Sequence, residues 1–306
     1  MNRETKKNVA ASIRQRLLNI SKDSGENFNL ILIRYGLERM LYRLGQSEWR
    51  NQFLLKGAML FTLWHDKPHR PTRDADFLGF IDPDLETIKE IFQSLCEFNF
   101  SEDGILFDPE SVHVEEIREN NIYEGIRVRL RGKLANAIIH LQFDIGFGDA
   151  VTPDPENIIY PTLLNHKPPE LKAYPVYTVI AEKFEAMIKL GMFNSRMKDF
   201  YDLWVLINRS ALEGKILANA IKATFKRRKT EMPTAIPLAL TREFYDNESK
   251  RTQWSVFLRK NGIKNDLDLQ EIMRSLESFL IPPVAAINAE KQYDQIWKPS
   301  TGWNLE

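Results

Sequence analysis

The sequence contains a single cysteine, Cys96, in 306 residues. That excludes an internal disulfide framework and a cysteine-rich zinc site, and it fits a reducing compartment. Net charge is missing too: 42 Lys+Arg cancel 42 Asp+Glu, so no global field draws the chain to nucleic acid or anionic lipid. Any polyanion contact has to come from a local patch. No apolar run approaches the roughly 18 residues of a membrane span, and the longest candidates are broken by Pro282 and Pro283. The opening MNRETKKNVAAS lacks the apolar stretch of a secretory signal. A cytoplasmic protein without a membrane partner is expected. The histidines do not cluster as ligands: His65 and His69 are four apart, but Pro68 breaks the single helical face that a zinc pair needs. There is no P-loop, no Gly-x-Ser-x-Gly elbow and no dinucleotide fingerprint; Gly146-Phe147-Gly148 is too short to count.

What is present is ordinary in bulk and informative in detail. Apolar residues make up 43% and charged ones 27%, as in a soluble globular protein. The length suits one large or two modest domains that fold without staples. Residues 8–44 read as helices, with Ile13, Leu17, Leu18 and then Leu30, Ile33, Leu37, Leu41, Leu44 at helical spacing. Phe53-Leu54-Leu55, Lys56-Gly57 and the apolar stretch to Trp64 predict a strand, a tight turn and a helix. RDADFLGF (73–80) predicts a strand, and Pro83 the start of a helix reaching Phe98. From 111 to 147 the apolar residues alternate as in β-strands, with Asn120-Asn121 and Gly132 as reversals. Residues 150–175 carry six prolines and read as a connector. Beyond Pro175 the pattern predicts helices over roughly 176–191, 196–208, 213–228, 247–260 and 267–280. The expected architecture is an α+β half with an N-terminal helical segment, joined to a helical C-terminal half.

Chemistry concentrates in Arg70-Pro71-Thr72-Arg73-Asp74-Ala75-Asp76. Two acids separated by one residue on a strand point to the same face. They repel unless a cation sits between them. Oxygen ligands without cysteine or histidine favour Mg²⁺ or Mn²⁺, and Mg²⁺ takes one or two carboxylates plus substrate phosphates. An exposed acidic strand end is the plain alternative. Upstream, Lys56-Gly57-Ala58 leads from a strand into a helix, a turn whose N–H groups suit phosphate. Downstream, Asp144 interrupts an apolar alternating strand, a costly place for an acid unless it is paired or metal-bound. This order resembles the polymerase-β-like nucleotidyltransferase superfamily, in which three acids hold two divalent ions. In the helical half Asp199 and Asp202 share a face, with Lys198 at i, i+4 from Asp202; surface ion pairs of little worth explain them equally well.

Taken in order, AASIRQRLLN (10–19), RYGLERMLYRL (34–44), FLLKGAMLF (53–61), RPTRDADFLG (70–79), LQFDIGFGD (141–149), PVYTVIAEKFEAMIKLG (175–191) and RMKDFYDLW (196–204) resemble the AbiEii/AbiGii nucleotidyltransferase toxins of abortive-infection, type IV toxin–antitoxin loci. RPTRDADF followed by RMKDFYDL is the specific part. The resemblance implies a polymerase-β-like mixed-sheet core over residues 1–174 and a helical domain over 175–306 that completes the active site. It implies a nucleoside triphosphate substrate, Mg²⁺ (or Mn²⁺), transfer to the 3′ end of tRNA, and a cognate antitoxin. Asp74 and Asp76 take the metal-ligand places and Asp144 that of a third carboxylate. Lys56, Gly57 and Ala58 form the phosphate turn, Lys183 is the helical lysine directed at the triphosphate, and Asp199 is the acid of the last motif, a general base or organiser. The superfamily has Gly-Ser where this chain has Gly57-Ala58; Ala58 has no hydroxyl, so that contact falls to backbone N–H groups or Lys56.

The rest of the chain divides between function and scaffold. Arg73, beside the acid pair, suits a phosphate. Lys226, Arg227, Arg228 and Lys229 suit a nucleic-acid backbone or merely the negative end of a helix dipole. Tyr35, Arg39 and Arg43, at i, i+4 spacing, read as scaffold, and Cys96 as core. Two rivals stay open: the same chemistry on a protein or small-molecule acceptor, and a catalytically silent binding module.

Overall fold

The structure, a computed structural model, describes residues 3–65, 70–98, 100–119, 122–263 and 267–305. The Asn120-Asn121 reversal and His69 lie outside them. The chain divides into two compact units, Met1–Gly148 with Glu156–Ala173, and Asp149–Pro155 with Tyr174–Glu306.

The first unit opens with two helices, α1 (Arg3–Ser24) and α2 (Phe28–Gln46), the latter capped by Asn27, whose side chain accepts from the Asn29 N–H. β1 (Phe53–Lys56) runs through a single 3₁₀ turn, Gly57–Met59, into α3 (Leu60–His65). β2 (Asp74–Gly79) and α4 (Leu85–Glu97) follow. Pro83 precedes α4, and Asp84 caps it through the Thr87 N–H. β3 (Ile105–Glu119), β4 (Ile122–Leu134) and β5 (Ala137–Phe147) form an antiparallel meander.

Gly132 is not a reversal. It lies inside β4, and the chain turns at Ala135, which takes a left-handed φ of 52°. The glycine instead keeps the sheet clear of crowding: a Cβ there would stand 3.0 Å from Ile105. The proline-rich stretch is also more than a connector. It contains β6 (Glu156–Ile159) and β7 (Glu170–Ala173), and β7 pairs in parallel with β1. The resulting seven-stranded mixed sheet has the order β3-β4-β5-β2-β1-β7-β6.

One face of this sheet carries the core. Phe53, Phe77 and Phe143 point to it from β1, β2 and β5 and meet Phe92 of α4, with ring centroids 5.2 to 6.4 Å apart. Burying aromatic side chains of this size contributes roughly 1.5–3 kcal/mol each. α2 reaches the same face at Gly36, whose missing side chain leaves room for Leu141. Tyr35, Arg39 and Arg43 are buried scaffold. Arg43 pairs with buried Asp103 at 2.7 Å, Tyr35 donates to the Asp103 carbonyl, and Arg39 donates to the Lys167 carbonyl. Cys96 lies in the core, its thiol pushed up to about 12 by burial.

The second unit contains α5 (Val176–Leu190), α6 (Met197–Arg209), α7 (Gly214–Arg228), a short α8 (Arg242–Tyr245), α9 (Glu248–Lys260) and α10 (Leu269–Asn288). α10 continues through Pro282 and Pro283, and Phe279, Leu280, Pro283 and Val284 extend its buried stripe. A small sheet of β8 (Leu212–Glu213), β9 (Gln295–Lys298) and β10 (Gly302–Leu305), for which no strand was expected, joins the helices. The indole of Trp303 stacks on Phe279 at 5.4 Å and donates to its carbonyl at 3.0 Å. Among the described residues no helix is long and apolar enough to cross a membrane.

Candidate active site

Strand register builds the first cluster. β2 alternates: Ala75 and Phe77 go to the core, leaving Asp74 and Asp76 half-buried on the opposite face. β1 and β5 flank β2, antiparallel and parallel, and Lys56, Asp76 and Asp144 are register partners. Asp144 in turn partners Arg127 of β4, and Arg127 partners Glu115 of β3. One transverse row of the sheet therefore reads Glu115, Arg127, Asp144, Asp76, Lys56. Signs alternate along it except in the middle, where two carboxylates stand on adjacent strands roughly 4.8 Å apart.

The acids of β2 and β5 are held in place. Arg127 grips Asp144 with two hydrogen bonds, Nε to Oδ1 at 2.8 Å and Nη2 to Oδ2 at 2.7 Å, the bidentate geometry at which arginine excels. Thr72, buried, donates its hydroxyl to Asp74 Oδ1 at 3.1 Å. Gly57 has a φ of 74°, and a Cβ there would lie 1.9 Å from Asp76 Oδ2. The turn needs glycine twice, for its backbone conformation and for the carboxylate seated against it. Ala58, next in the turn, is buried. The Lys56 ammonium lies over β5, 3.6 Å from where a Gly146 side chain would begin. Arg73 is exposed beside the pair.

Asp74 and Asp76, with Asp144 alongside, fit a magnesium that draws its remaining ligands from substrate phosphates. Asp144 is not a third open ligand, however. Both its oxygens are engaged by Arg127, and among the described residues no three His, Cys, Asp or Glu side chains converge as a metal cage. Arg127 and Thr72 escaped the sequence reading. The signal for Arg127 was there: Arg127, Arg129, Arg131 and Lys133 alternate on β4 and so share one face.

The second cluster belongs to the helical unit. Lys183 of α5 extends its ammonium between Asp199 and Asp202 of α6, at 2.5 and 2.8 Å. Asp202, fully buried, takes Lys183 rather than Lys198 as partner, so the i, i+4 pairing expected within the helix gives way to one between helices.

One turn away, Arg228 is caged by Asp149 at 3.0 Å, Glu182 at 3.3 Å and Glu185 at 2.8 Å. Burial alone lowers its pKa, but the three acids outweigh that and hold it above the ordinary guanidinium value. Tyr174 donates to Glu182, and Thr230 to Glu185. Arg228 is thus a structural hub rather than an open phosphate contact. Its neighbours Lys226, Arg227 and Lys229 are exposed at the end of α7.

Residues 39–278 match the family model for the nucleotidyl transferase AbiEii toxin of type IV toxin–antitoxin systems. Three solved structures are similar over most of the chain. A protein of H. pylori assigned as a nucleotidyltransferase is 13% identical, with a TM-score of 0.48 over 83% of this chain and 94% of that one. JHP933 from Helicobacter pylori is 14% identical, with a TM-score of 0.45 over 82% and 88%. An antigenic nucleotidyltransferase-like protein from Paracoccidioides brasiliensis is 13% identical, with a TM-score of 0.33 over 77% and 91%. No curated protein matches the chain in sequence. The family match stands independently of these distant likenesses and spans well over half of the residues: the chain belongs to the AbiEii nucleotidyltransferase toxins of type IV toxin–antitoxin systems.

Proposed function

We propose that this nucleotidyltransferase moves a nucleoside monophosphate from a nucleoside triphosphate to the 3′ end of a tRNA, in a reaction that depends on a divalent cation held by Asp74 and Asp76. The observation that carries the reading is the pair of in-register carboxylates, Asp76 and Asp144, with the Gly57 turn packed against the first. A 3′ hydroxyl attacks the α-phosphorus, the bond to the β-phosphate oxygen breaks, and pyrophosphate leaves. Bound divalent cations supply charge for the attacking and leaving oxygens of such an in-line displacement.

The chain's own groups do the rest. Backbone N–H groups of the Gly57–Ala58 turn, with Lys56, hold the β- and γ-phosphates, because Ala58 brings no hydroxyl. In the helical unit, Lys183 and Asp199, hydrogen-bonded to one another, are the groups that the family resemblance assigns to the triphosphate and to the acceptor proton. Arg127 keeps Asp144 aimed through two hydrogen bonds before substrate arrives.

Each of the four labelled triphosphates in turn, incubated with total tRNA and with total protein, tests the acceptor. Label in the tRNA pool supports the reading. Label in the protein pool transfers the chemistry to a protein hydroxyl and removes tRNA from it.

A further inference from the structure

Beyond Arg127, the basic face of β4 continues with Arg129, Arg131 and Lys133. Arg129 and Arg131 line a cavity of about 570 Å³ together with Arg73, His140 and Gln142, and among the described residues no carboxylate lines it. Ile33, Leu130 and Leu141 give it an apolar wall. A second hollow, of about 340 Å³, contains Asn27 and Asn29 and shares Arg73 and Ile33 with the first. Volumes of about 300–1,000 Å³ are those of small-ligand sites. In a protein with no net charge, three arginines in one hollow form the local patch that a polyanion requires.

The ion pairs already present do not close this site. Arg129 meets Glu115 at 2.8 Å and Arg131 meets Asp108 at 2.9 Å, and all four side chains are 40–53% exposed. Such surface pairs contribute about 0–1 kcal/mol, so phosphate oxygens replace the carboxylates at little cost. Arginine forks match phosphate, and an apolar wall suits the face of a base.

Register decides which nucleic acid group comes here. Arg129, Gln142 and Asp74 form the row next to Arg127, Asp144 and Asp76, two residues or roughly 7 Å along the strands. The phosphate turn at Gly57 flanks Asp76 from β1, whereas the cavity lies on the β5 and β4 side, where its Gln142 is the register partner of Asp74. The triphosphate and the cavity's occupant therefore approach the carboxylates from different sides.

We infer that this cavity seats the single-stranded 3′ segment of the RNA acceptor, with Arg73, Arg129 and Arg131 on its phosphates and a base against Ile33. The inference rests on the tRNA-acceptor reading given above.

The test measures binding of a fluorescent single-stranded RNA with the sequence of a tRNA 3′ end, by anisotropy across a range of KCl. The full-length protein is compared with Arg129→Gln/Arg131→Gln, with His140→Ala, and with Lys226→Gln/Arg227→Gln at the end of α7. A fluorescent nucleoside triphosphate with Mg²⁺ is titrated in parallel, and thermal melts check folding. The cavity double variant should bind the RNA at least tenfold more weakly, with its salt slope reduced by about 1.4, or 0.7 for each single-strand phosphate that an arginine no longer neutralises. His140→Ala, which removes no ion pair, should weaken it several-fold, and triphosphate affinity should stay within twofold in both. Wild-type RNA affinity in the double variant and in His140→Ala, or loss only in Lys226→Gln/Arg227→Gln, overturns the cavity assignment. A wild-type protein that binds triphosphate but no RNA overturns it together with the tRNA acceptor, a distinguishable outcome.

Discussion

Asp76 and Asp144 stand in register on neighbouring parallel strands; the Arg127 fork holds both oxygens of Asp144, and the Gly57 turn packs against Asp76. The asymmetry gives the two acids different work. Asp144 is already matched by the Arg127 guanidinium, while Asp76 lies against the Gly57 turn where the triphosphate is proposed to sit. Removing Arg127 exposes the like-charge contact that the fork offsets. Arg127→Gln should lower the melting temperature in EDTA and regain most of the loss in Mg²⁺, a larger Mg²⁺ response than the wild type shows. Equal Mg²⁺ responses in scanning calorimetry would contradict this role.

Gly57→Ala meets two obstacles at once, a left-handed φ and a carboxylate 1.9 Å from the new Cβ. The backbone term alone costs about 1 kcal/mol or more, and relieving the clash displaces Asp76. Urea denaturation should show a loss of about 1–3 kcal/mol, with triphosphate binding lost beyond what that destabilisation explains. Wild-type binding by a stably folded variant contradicts the assigned turn.

Much of this site is legible in the sequence because it is local. RDADF alternates, so the shared face of Asp74 and Asp76 follows from strand geometry alone. The strand-turn-helix at Phe53–Trp64 follows from its apolar pattern. What depends on pairing between distant segments is not legible. That Arg127 faces Asp144 is decided by the β4–β5 register, and a shift of one residue would send it to the other side. β7, four residues after a proline-rich stretch, becomes a strand only because β1 offers it a parallel edge. Pro282 and Pro283 read as a helix end, yet the buried stripe of α10 overrides them.

Lys183 holds two acids of α6, one of them fully buried. Lys183→Met removes the ammonium that both acids share, a change that costs about 3 kcal/mol at a buried pair. Adding Asp202→Asn should recover part of that loss, whereas incorporation should stay abolished. Strictly additive losses in a double-mutant cycle would show that the pair is not coupled.

Glu38, buried on α2 beside Arg39, has its carboxyl pushed up to about 7 by burial, against the pull of Arg39 and the Leu163 N–H. The folded state therefore holds a proton that the unfolded chain releases near the ordinary carboxylate pKa. The stabilisation from that proton is complete below the unfolded value and is lost as pH rises through about 7. The unfolding free energy of the wild type relative to Glu38→Gln should fall on the order of 2 kcal/mol between pH 5 and 8. A flat or rising difference in chemical denaturation contradicts the shift.

The central claim is that the Asp74–Asp76 pair carries nucleotidyl transfer to RNA. Its most direct test is incorporation of labelled nucleotide into a tRNA pool by the wild type and by Asp76→Asn, once matching melts have shown both to be folded. Labelled tRNA ends with the wild type and none with Asp76→Asn is the predicted result. Undiminished labelling by a folded Asp76→Asn contradicts the account.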